Sequence, residues 1–317
     1  MTPLAAGYVV RSPTAADIEA GQRMLDDIET AECGEPRHHD NRLAVDFDDP
    51  RIDLDRSAWL VTAPPDPAGA FAGLALVRDP HATGEIIVDH YVHPDHFGRG
   101  VSDVLLDRAE ERAAQMAATL PSEAAPALFV WASPGSEGHE RLLARGYAVA
   151  RETYEMRIDL AGEPPTPDWP AGIAARPLRL GRDEQAVYAA DIDGFAEHFL
   201  FEAQPYDEWR RRFMDLPGVD PELWLIAWDG GEVAGYASGA AADDGGLVNA
   251  LAVRRPWRRR GLGQALLVGQ FLAFARRGVT PVRLYVDAQN ATGAVALYER
   301  VGMRVERRFD VLRKSVA

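Results

Sequence analysis

The order of predicted strands and helices occurs twice along the chain, once on each side of a segment rich in proline and glycine. That segment, DLAGEPPTPDWPAG at residues 159–172, interrupts both helical and strand patterns. The two halves align best where VHPDHFGRGVSDVLLDRA, at residues 92–109, lies over VRRPWRRRGLGQALLVGQ, at residues 253–270. A duplication of this kind constrains the chain to two domains of similar fold.

Each copy is predicted to be an α+β unit in which helices pack on a mostly antiparallel sheet. In the second copy, two hairpin turns separate three extended runs, and the helix at residues 261–277 follows them. A strand, the helix at residues 291–301 and a final strand pair around residues 303–314 complete the copy. We therefore expect one domain at residues 1–160, a linker at residues 161–171 and a second domain at residues 172–317.

Composition limits the kinds of partner and the cellular compartment that can be expected. The chain of 317 residues carries a formal net charge of −15, which disfavours a nucleic-acid partner because such partners need a broad basic face. No window approaches the roughly 20 apolar residues of a membrane span, and the start MTPLAAGYVVRS lacks the pattern of a signal peptide. Cys33 is the single cysteine, so an internal disulfide is excluded. We expect a cytoplasmic protein with no membrane partner.

The stretch VRRPWRRRGLGQALL, at residues 253–267, places five arginines and two glycines between a strand and a helix. The first N–H groups of a helix have no internal acceptors and carry partial positive charge, so such a turn favours an anion such as a phosphate. Gly261 and Gly263 allow the backbone to approach that anion, and Arg258, Arg259 and Arg260 add charged donors. The turn lacks the Gly-Lys-Ser/Thr of a nucleotide-triphosphate loop and the third glycine of a dinucleotide loop.

The motif Arg258-x-x-Gly261-x-Gly263 resembles the loop with which the GNAT N-acetyltransferases hold the pyrophosphate of acetyl-CoA. The stretch VDAQNATGAVALYERVGM, at residues 286–303, resembles the next signature of the same family, with an Asn after a strand and a Leu-Tyr-Glu before a glycine. The layout is similar to that of the tandem GNAT chains that include the mycothiol synthases. The resemblance implies two tandem GNAT domains and an acetyl-CoA-dependent N-acetyltransferase.

The resemblance also implies roles for individual residues. The pantetheine arm and thioester would lie along the strand Leu251, Ala252 and Val253, and Asn290 would bind the pantetheine amides. Asn290 could also simply cap the helix after it, and the two roles are compatible. Tyr298 would donate a proton to the leaving thiolate. The diphosphate would be held by the turn, through Arg258, Arg259, Arg260, Gly261, Leu262, Gly263 and Gln264.

The general base is less determined than the donor site. Leu247 stands where the mycothiol-synthase group carries a glutamate assigned as base, which argues against a mycothiol precursor as the acceptor. Glu197 and His198, in the segment expected to wall the acceptor pocket, are the candidates, and Asn249 is a further candidate for orienting a water. Each of the two candidate bases is also explained as surface charge on a helix.

The first copy has lost several of these residues. Phe97 replaces the arginine of the turn, Ser102 replaces its second glycine and Leu142 replaces the tyrosine. The sequence therefore predicts that the second copy alone is catalytic, while the surviving FGRG turn leaves coenzyme binding by the first copy open.

Other readings of the sequence are weaker. His90, His93 and His96 would not converge on a metal if they lie on one strand, so no metal is expected, and His38, His39 and Asp40 fit a polar loop. The preferred acceptor is a primary amine of a small molecule, and a peptide or protein N-terminus is the alternative. A non-catalytic acyl-CoA-binding module is the rival function, and the chain is expected to be a monomer or homodimer.

Overall fold

The computed structural model describes residues 2–34, 42–49, 52–64, 71–79, 81–121, 124–215, 219–242, 244–290 and 293–316. The chain forms two compact units: unit 1 comprises Met1–Glu152 with Arg308–Ala317, and unit 2 comprises Thr153–Arg307. These units differ from the predicted domains at the last strand of each sequence repeat. His38, His39 and Asp40 lie outside the described residues.

Unit 1 contains a six-stranded sheet with helices packed against it. The strand order is β1-β2-β3-β4-β5-β12, in which β4 and β5 are parallel and the other neighbours antiparallel. The sixth position is filled by the last residues of β12, which pair with the whole of β5. The elements are β1 (Val9–Arg11), α1 (Ile18–Cys33), α2 (Arg42–Asp48), α3 (Leu54–Ser57), β2 (Ala58–Thr62), β3 (Phe71–Arg78), β4 (Glu85–Val92), α4 (Val101–Ala117), β5 (Ala127–Ala132), α5 (Glu137–Ala144) and β12 (Arg304–Ser315).

Unit 2 has the same architecture. Its strand order is β6-β11-β10-β9-β8-β7, with β10 and β11 parallel and the other neighbours antiparallel. Residues 153–158 of β6 take the place that the end of β12 takes in unit 1. The elements are β6 (Ala148–Ile158), β7 (Ile173–Pro177), α6 (Glu184–Phe195), α7 (Tyr206–Phe213), β8 (Trp224–Asp229), β9 (Glu232–Ala242), β10 (Gly245–Val253), α8 (Leu262–Ala275), β11 (Val282–Asp287) and α9 (Ala294–Arg300).

The duplication extends to individual contacts. In unit 1, Arg11 at the end of the first strand pairs with Asp17 before the first long helix, at 2.6 Å. In unit 2, Arg176 pairs with Asp183 in the same place, also at 2.6 Å. In each pair, the hydrogen bond from the guanidinium lowers the pKa of the aspartate, to about 2 for Asp17. The predicted repeat of one α+β unit is confirmed.

One predicted element is wrong. The segment expected to form a final strand pair around residues 303–314 is a single strand, β12, of 12 residues. No glycine, proline or asparagine occurs in residues 304–315, so nothing in the sequence breaks the strand into a pair.

The core of unit 2 fixes the strands that lead to the arginine turn. Apolar residues of α8 and α9 pack on one face of β10 and β11, in a cluster that includes Phe271, Leu284 and Tyr298. On the opposite face, α6 packs so closely on β10 that a Cβ added at Gly194 would lie 2.8 Å from the Cβ of Ala252. Strand β10 is therefore held from both faces.

Candidate active site

The parallel strands β10 and β11 separate shortly after they start. The pairs found between them are Gly246 with Val282 and Leu247 with Arg283. Pairing of β10 with β9 continues to Val253, but its register shifts between Val248 and Ala250, which leaves Asn249 as the extra residue of a bulge. One edge of Leu251, Ala252 and Val253 thus pairs with β9, while the other edge faces the gap beside β11.

The turn before α8 leaves the first N–H groups of the helix open. Gly261 is the N-cap and has a φ of 86°, a left-handed conformation that favours glycine. The first intrahelical bond runs from the Ala265 N–H to the Gly261 carbonyl, at 3.0 Å. The preceding amides, of Leu262, Gly263 and Gln264, therefore have no acceptor within the helix. Nothing lies within 4 Å of a Cβ built on Gly261.

The two glycines of the turn have different reasons to be glycine. Gly261 is required by its positive φ, whereas a Cβ at Gly263 would lie 3.3 Å from the side chain of Leu297 on α9. Gly263 therefore allows α8 and α9 to pack closely, in addition to the approach to an anion expected from the sequence.

The five arginines of the turn divide into two groups. Arg254 pairs with Asp193 at 2.8 Å, and Arg255 and Arg258 pair with Glu197 at 2.8 and 2.7 Å. Arg258 also donates to the carbonyls of Val253 and Gly194, at 3.0 and 3.3 Å, so its guanidinium is engaged by the protein. Arg259 and Arg260 are exposed, and among the described residues neither has a carboxylate partner.

Glu197 and His198 follow the end of α6 and lie in different environments. The hydrogen bond from Arg258, with the charge of Arg255, lowers the pKa of the exposed Glu197 carboxyl. Burial lowers the pKa of His198, and the negative charge of Asp287 at the end of β11 partly opposes that shift. The His198 ring packs edge-on to Phe195, with ring centroids 4.5 Å apart. At neutral pH Glu197 is an ion-paired carboxylate and His198 is a neutral imidazole.

Tyr298 lies on α9, with 7% of its surface exposed. Burial raises the pKa of its hydroxyl to about 12, so the group is protonated at neutral pH. In the part of the chain that the structure describes, no group hydrogen-bonds this hydroxyl. The side chain is therefore a buried, protonated phenol that could donate a hydrogen bond to a ligand.

Asn290 follows β11 and does not cap the next helix. Its N–H donates to the Asp287 carbonyl at 3.0 Å, and its own carbonyl accepts the Gly293 N–H at 3.3 Å. The helix starts at Ala294 with Gly293 as its N-cap, so the capping role considered for Asn290 is wrong. A glycine with a φ of 75° supplies the cap instead.

The three histidines around β4 do not converge. His90 is partly buried and lies 3.2 Å from the Ser102 hydroxyl, His93 accepts the Asp95 N–H, and His96 lies 2.9 Å from the Tyr8 hydroxyl. Over the described ranges, no group of three or more His, Cys, Asp or Glu side chains is placed to hold a metal ion. In those ranges, too, no helix is both long and apolar enough to cross a membrane.

Comparisons with known proteins agree with this architecture. A model of the "Acetyltransferase (GNAT) family" matches residues 185–303, which include the turn, Asn290 and Tyr298. Two relatives are named mycothiol acetyltransferase. The one from Geodermatophilus obscurus is 34% identical over 244 residues, covering 74% of this chain and 75% of its own. The one from Thermobispora bispora is 30% identical over 297 residues, covering 91% and 93%.

Solved structures show the same fold. A GCN5-related N-acetyltransferase from Sphaerobacter thermophilus has a TM-score of 0.81 at 32% identity, covering 99% of this chain and 97% of its own. A tandem GNAT protein from the clavulanic acid biosynthesis pathway has a TM-score of 0.72 at 18% identity, covering 98% and 99%. The second likeness concerns the fold alone.

Proposed function

Since the chain belongs to the GNAT acetyltransferase family, we propose that it transfers the acetyl group of acetyl-CoA to a primary amine of a small molecule. The acceptor amine attacks the thioester directly while both substrates are bound. The observation that carries this proposal is the start of α8, where the first amides have no acceptor within the helix and where Arg259 and Arg260 have no carboxylate partner among the described residues.

The donor would be held in two parts. The diphosphate would accept hydrogen bonds from the amides of Leu262, Gly263 and Gln264 and from the guanidinium groups of Arg259 and Arg260. Arg258 stabilises the turn through hydrogen bonds to the backbone carbonyls of Val253 and Gly194. The pantetheine arm would lie in the gap, against the free edge of residues 251–253 and the side-chain amide of Asn290.

The chemistry then needs one group to accept a proton and one to supply a proton. The amine nitrogen bonds to the carbonyl carbon, and backbone N–H groups of β10 stabilise the oxyanion that forms. The C–S bond breaks, the amine proton leaves to a base and the thiolate receives a proton from Tyr298. His198 fits the base better than Glu197, because its imidazole is neutral while the Glu197 carboxylate is neutralised by two arginines.

The proposed acceptor is a chemical class, the primary amines of small molecules. Relatives named mycothiol acetyltransferase point to a small amine, but Leu247 stands on β10 where the mycothiol-synthase group has its glutamate base. A leucine cannot accept a proton. We therefore propose a primary amine whose transfer depends on a base outside β10.

Release of free thiol from acetyl-CoA, measured with the purified chain and a panel of primary amines, tests the proposal. The panel should include sugar amines, polyamines and short peptides. Amine-dependent thiol release that is lost in Tyr298→Phe supports it. Binding of acetyl-CoA with no turnover on any amine would favour the non-catalytic module instead.

A further inference from the structure

The first turn of α4 in unit 1 is the counterpart of the first turn of α8 in unit 2. Gly100 aligns with Gly261, and both are left-handed N-caps, with φ values of 78° and 86°. Ser102 aligns with Gly263, and Asp103 aligns with Gln264. The two turns have the same backbone conformation, so their surroundings can be compared directly.

A segment of the chain covers the unit 1 turn. We call residues 2–5 the strap. A Cβ added at Gly100 would lie 2.4 Å from the Pro3 carbonyl oxygen and 2.7 Å from the Leu4 nitrogen, and the Ala5 N–H donates to the Arg99 carbonyl at 2.9 Å. At Gly261 the same construction finds nothing within 4 Å. The space that is open to a ligand in unit 2 is filled by protein in unit 1.

Asp103 supplies the negative charge that a ligand would otherwise bring. Its carboxylate accepts the Thr2 N–H at 2.6 Å and lies 3.3 and 3.5 Å from the guanidinium groups of Arg141 and Arg145. The residue is 3% exposed. A diphosphate at this helix start would meet a buried carboxylate whose neighbouring arginines are already paired.

Polar side chains also fill the space below the turn. His90 on β4 aligns with Leu251, and its ring lies 3.2 Å from the hydroxyl of Ser102, which is 5% exposed. Strands β4 and β5 pair at four positions, Glu85 to Val88, whereas β10 and β11 pair at two. Along β4 the register with β3 runs without a shift, so the bulge of β10 has no counterpart there. Less of a gap is left for a pantetheine arm.

We infer that the donor site of unit 1 is closed by the strap, Asp103 and the His90–Ser102 pair, so that the chain binds a single acetyl-CoA, in unit 2. The unit 2 half of this inference rests on the proposed function. The sequence left open whether the first copy binds the coenzyme, and we infer that it does not.

Calorimetry of the full chain with acetyl-CoA measures the stoichiometry. We expect one acetyl-CoA per chain. Gln264→Asp places in the first turn of α8 the residue type that unit 1 has at Asp103. The position is exposed, and an acidic side chain in the first turn stabilises a helix, so the variant should fold. We expect its affinity to fall at least tenfold relative to Gln264→Asn, which shortens the side chain without adding charge.

Two acetyl-CoA per chain, or a site of undiminished affinity in Gln264→Asp, would overturn the closed site and leave the proposed function standing. Zero uptake by the wild type would overturn the proposed coenzyme and would agree with an empty unit 1. Amide hydrogen exchange gives an independent readout. Saturating acetyl-CoA should protect residues 261–265 and leave residues 100–104 unchanged, and protection of the latter would contradict the inference.

Discussion

Glu197 accepts hydrogen bonds from Arg255 and Arg258 at 2.8 and 2.7 Å, and so fixes the segment after α6 against the turn that precedes α8. Arg258 reinforces this link through the carbonyls of Gly194 and Val253. The wall of the proposed acceptor pocket and the proposed diphosphate turn are therefore joined by one carboxylate. The same hydrogen bonds hold the backbone at His198, the next residue.

Tyr298→Phe tests the proposed acid. We expect kcat to fall by about 10²-fold or more, the range found for loss of general acid catalysis. The melting temperature should stay the same, because within the described residues the hydroxyl makes no hydrogen bond that the variant would lose. Tyr147→Phe, at a buried tyrosine of unit 1 whose hydroxyl has no hydrogen-bond partner among the described residues, is the matched control and should keep full turnover. Undiminished kcat in Tyr298→Phe would remove this residue from the reaction.

The pH dependence of kcat/KM tests the proposed base. His198 must be neutral to accept a proton, and burial lowers its pKa, so activity should fall on the acid side with a midpoint below about 6.5, the ordinary histidine value. In His198→Gln that acid limb should disappear together with most of the rate. Glu197→Gln should keep the acid limb, with its midpoint at the same or a lower pH, because the Glu197 charge raises the pKa of His198. Loss of the limb in Glu197→Gln would transfer the role to Glu197.

Arg259 and Arg260, which have no carboxylate partner in the described part of the chain, are expected to contribute to binding of the coenzyme. Hydrogen bonds to charged groups contribute about 1.5–3 kcal/mol, so Arg259→Ala and Arg260→Ala should each raise the KM for acetyl-CoA about tenfold. The effect on kcat should be smaller, because the diphosphate is bound equally before and during the reaction. Arg276→Ala, about 20 Å away at the other end of α8, is the charge-matched control.

The end of β12 is expected to stabilise unit 1 rather than unit 2. Deletion of residues 308–317 removes the strand beside β5 and two buried apolar side chains, Val311 and Leu312, each contributing about 1.5–3 kcal/mol by burial. The buried hydrogen bond between His139 and Asp310, at 2.8 Å, is lost as well. Thermal unfolding with exchange readouts should show unit 1 opening at lower temperature. Earlier loss of unit 2 would contradict the assignment of this strand.

The sequence predicted the repeated α+β unit and the position of the turn, because both depend on local patterns. The helix after the turn, predicted at residues 261–277, is α8 at Leu262–Ala275, and the turn between β8 and β9 follows from Asp229 and two glycines. The division of the arginines could not be predicted. It depends on Glu197 and Asp193, which lie about 60 positions away along the chain.

The strap and the placement of the last strands could not be predicted from the sequence either. Contact between Thr2 and Asp103 spans 101 positions, and neither residue type predicts it. Strands β6 and β12 have similar patterns, so either could complete either sheet by pattern alone. The bulge at Asn249 has no marker such as glycine or proline. These features are set by tertiary packing.

Calorimetry that compares acetyl-CoA with S-acetylpantetheine is the sharpest test of a diphosphate site at the start of α8, because the second compound lacks the diphosphate and the 3′-phosphoadenosine attached to it. We expect acetyl-CoA to bind at least a hundredfold more tightly, and Arg259→Ala with Arg260→Ala to remove most of that difference. Equal affinity for the two compounds would contradict a diphosphate site at the start of α8.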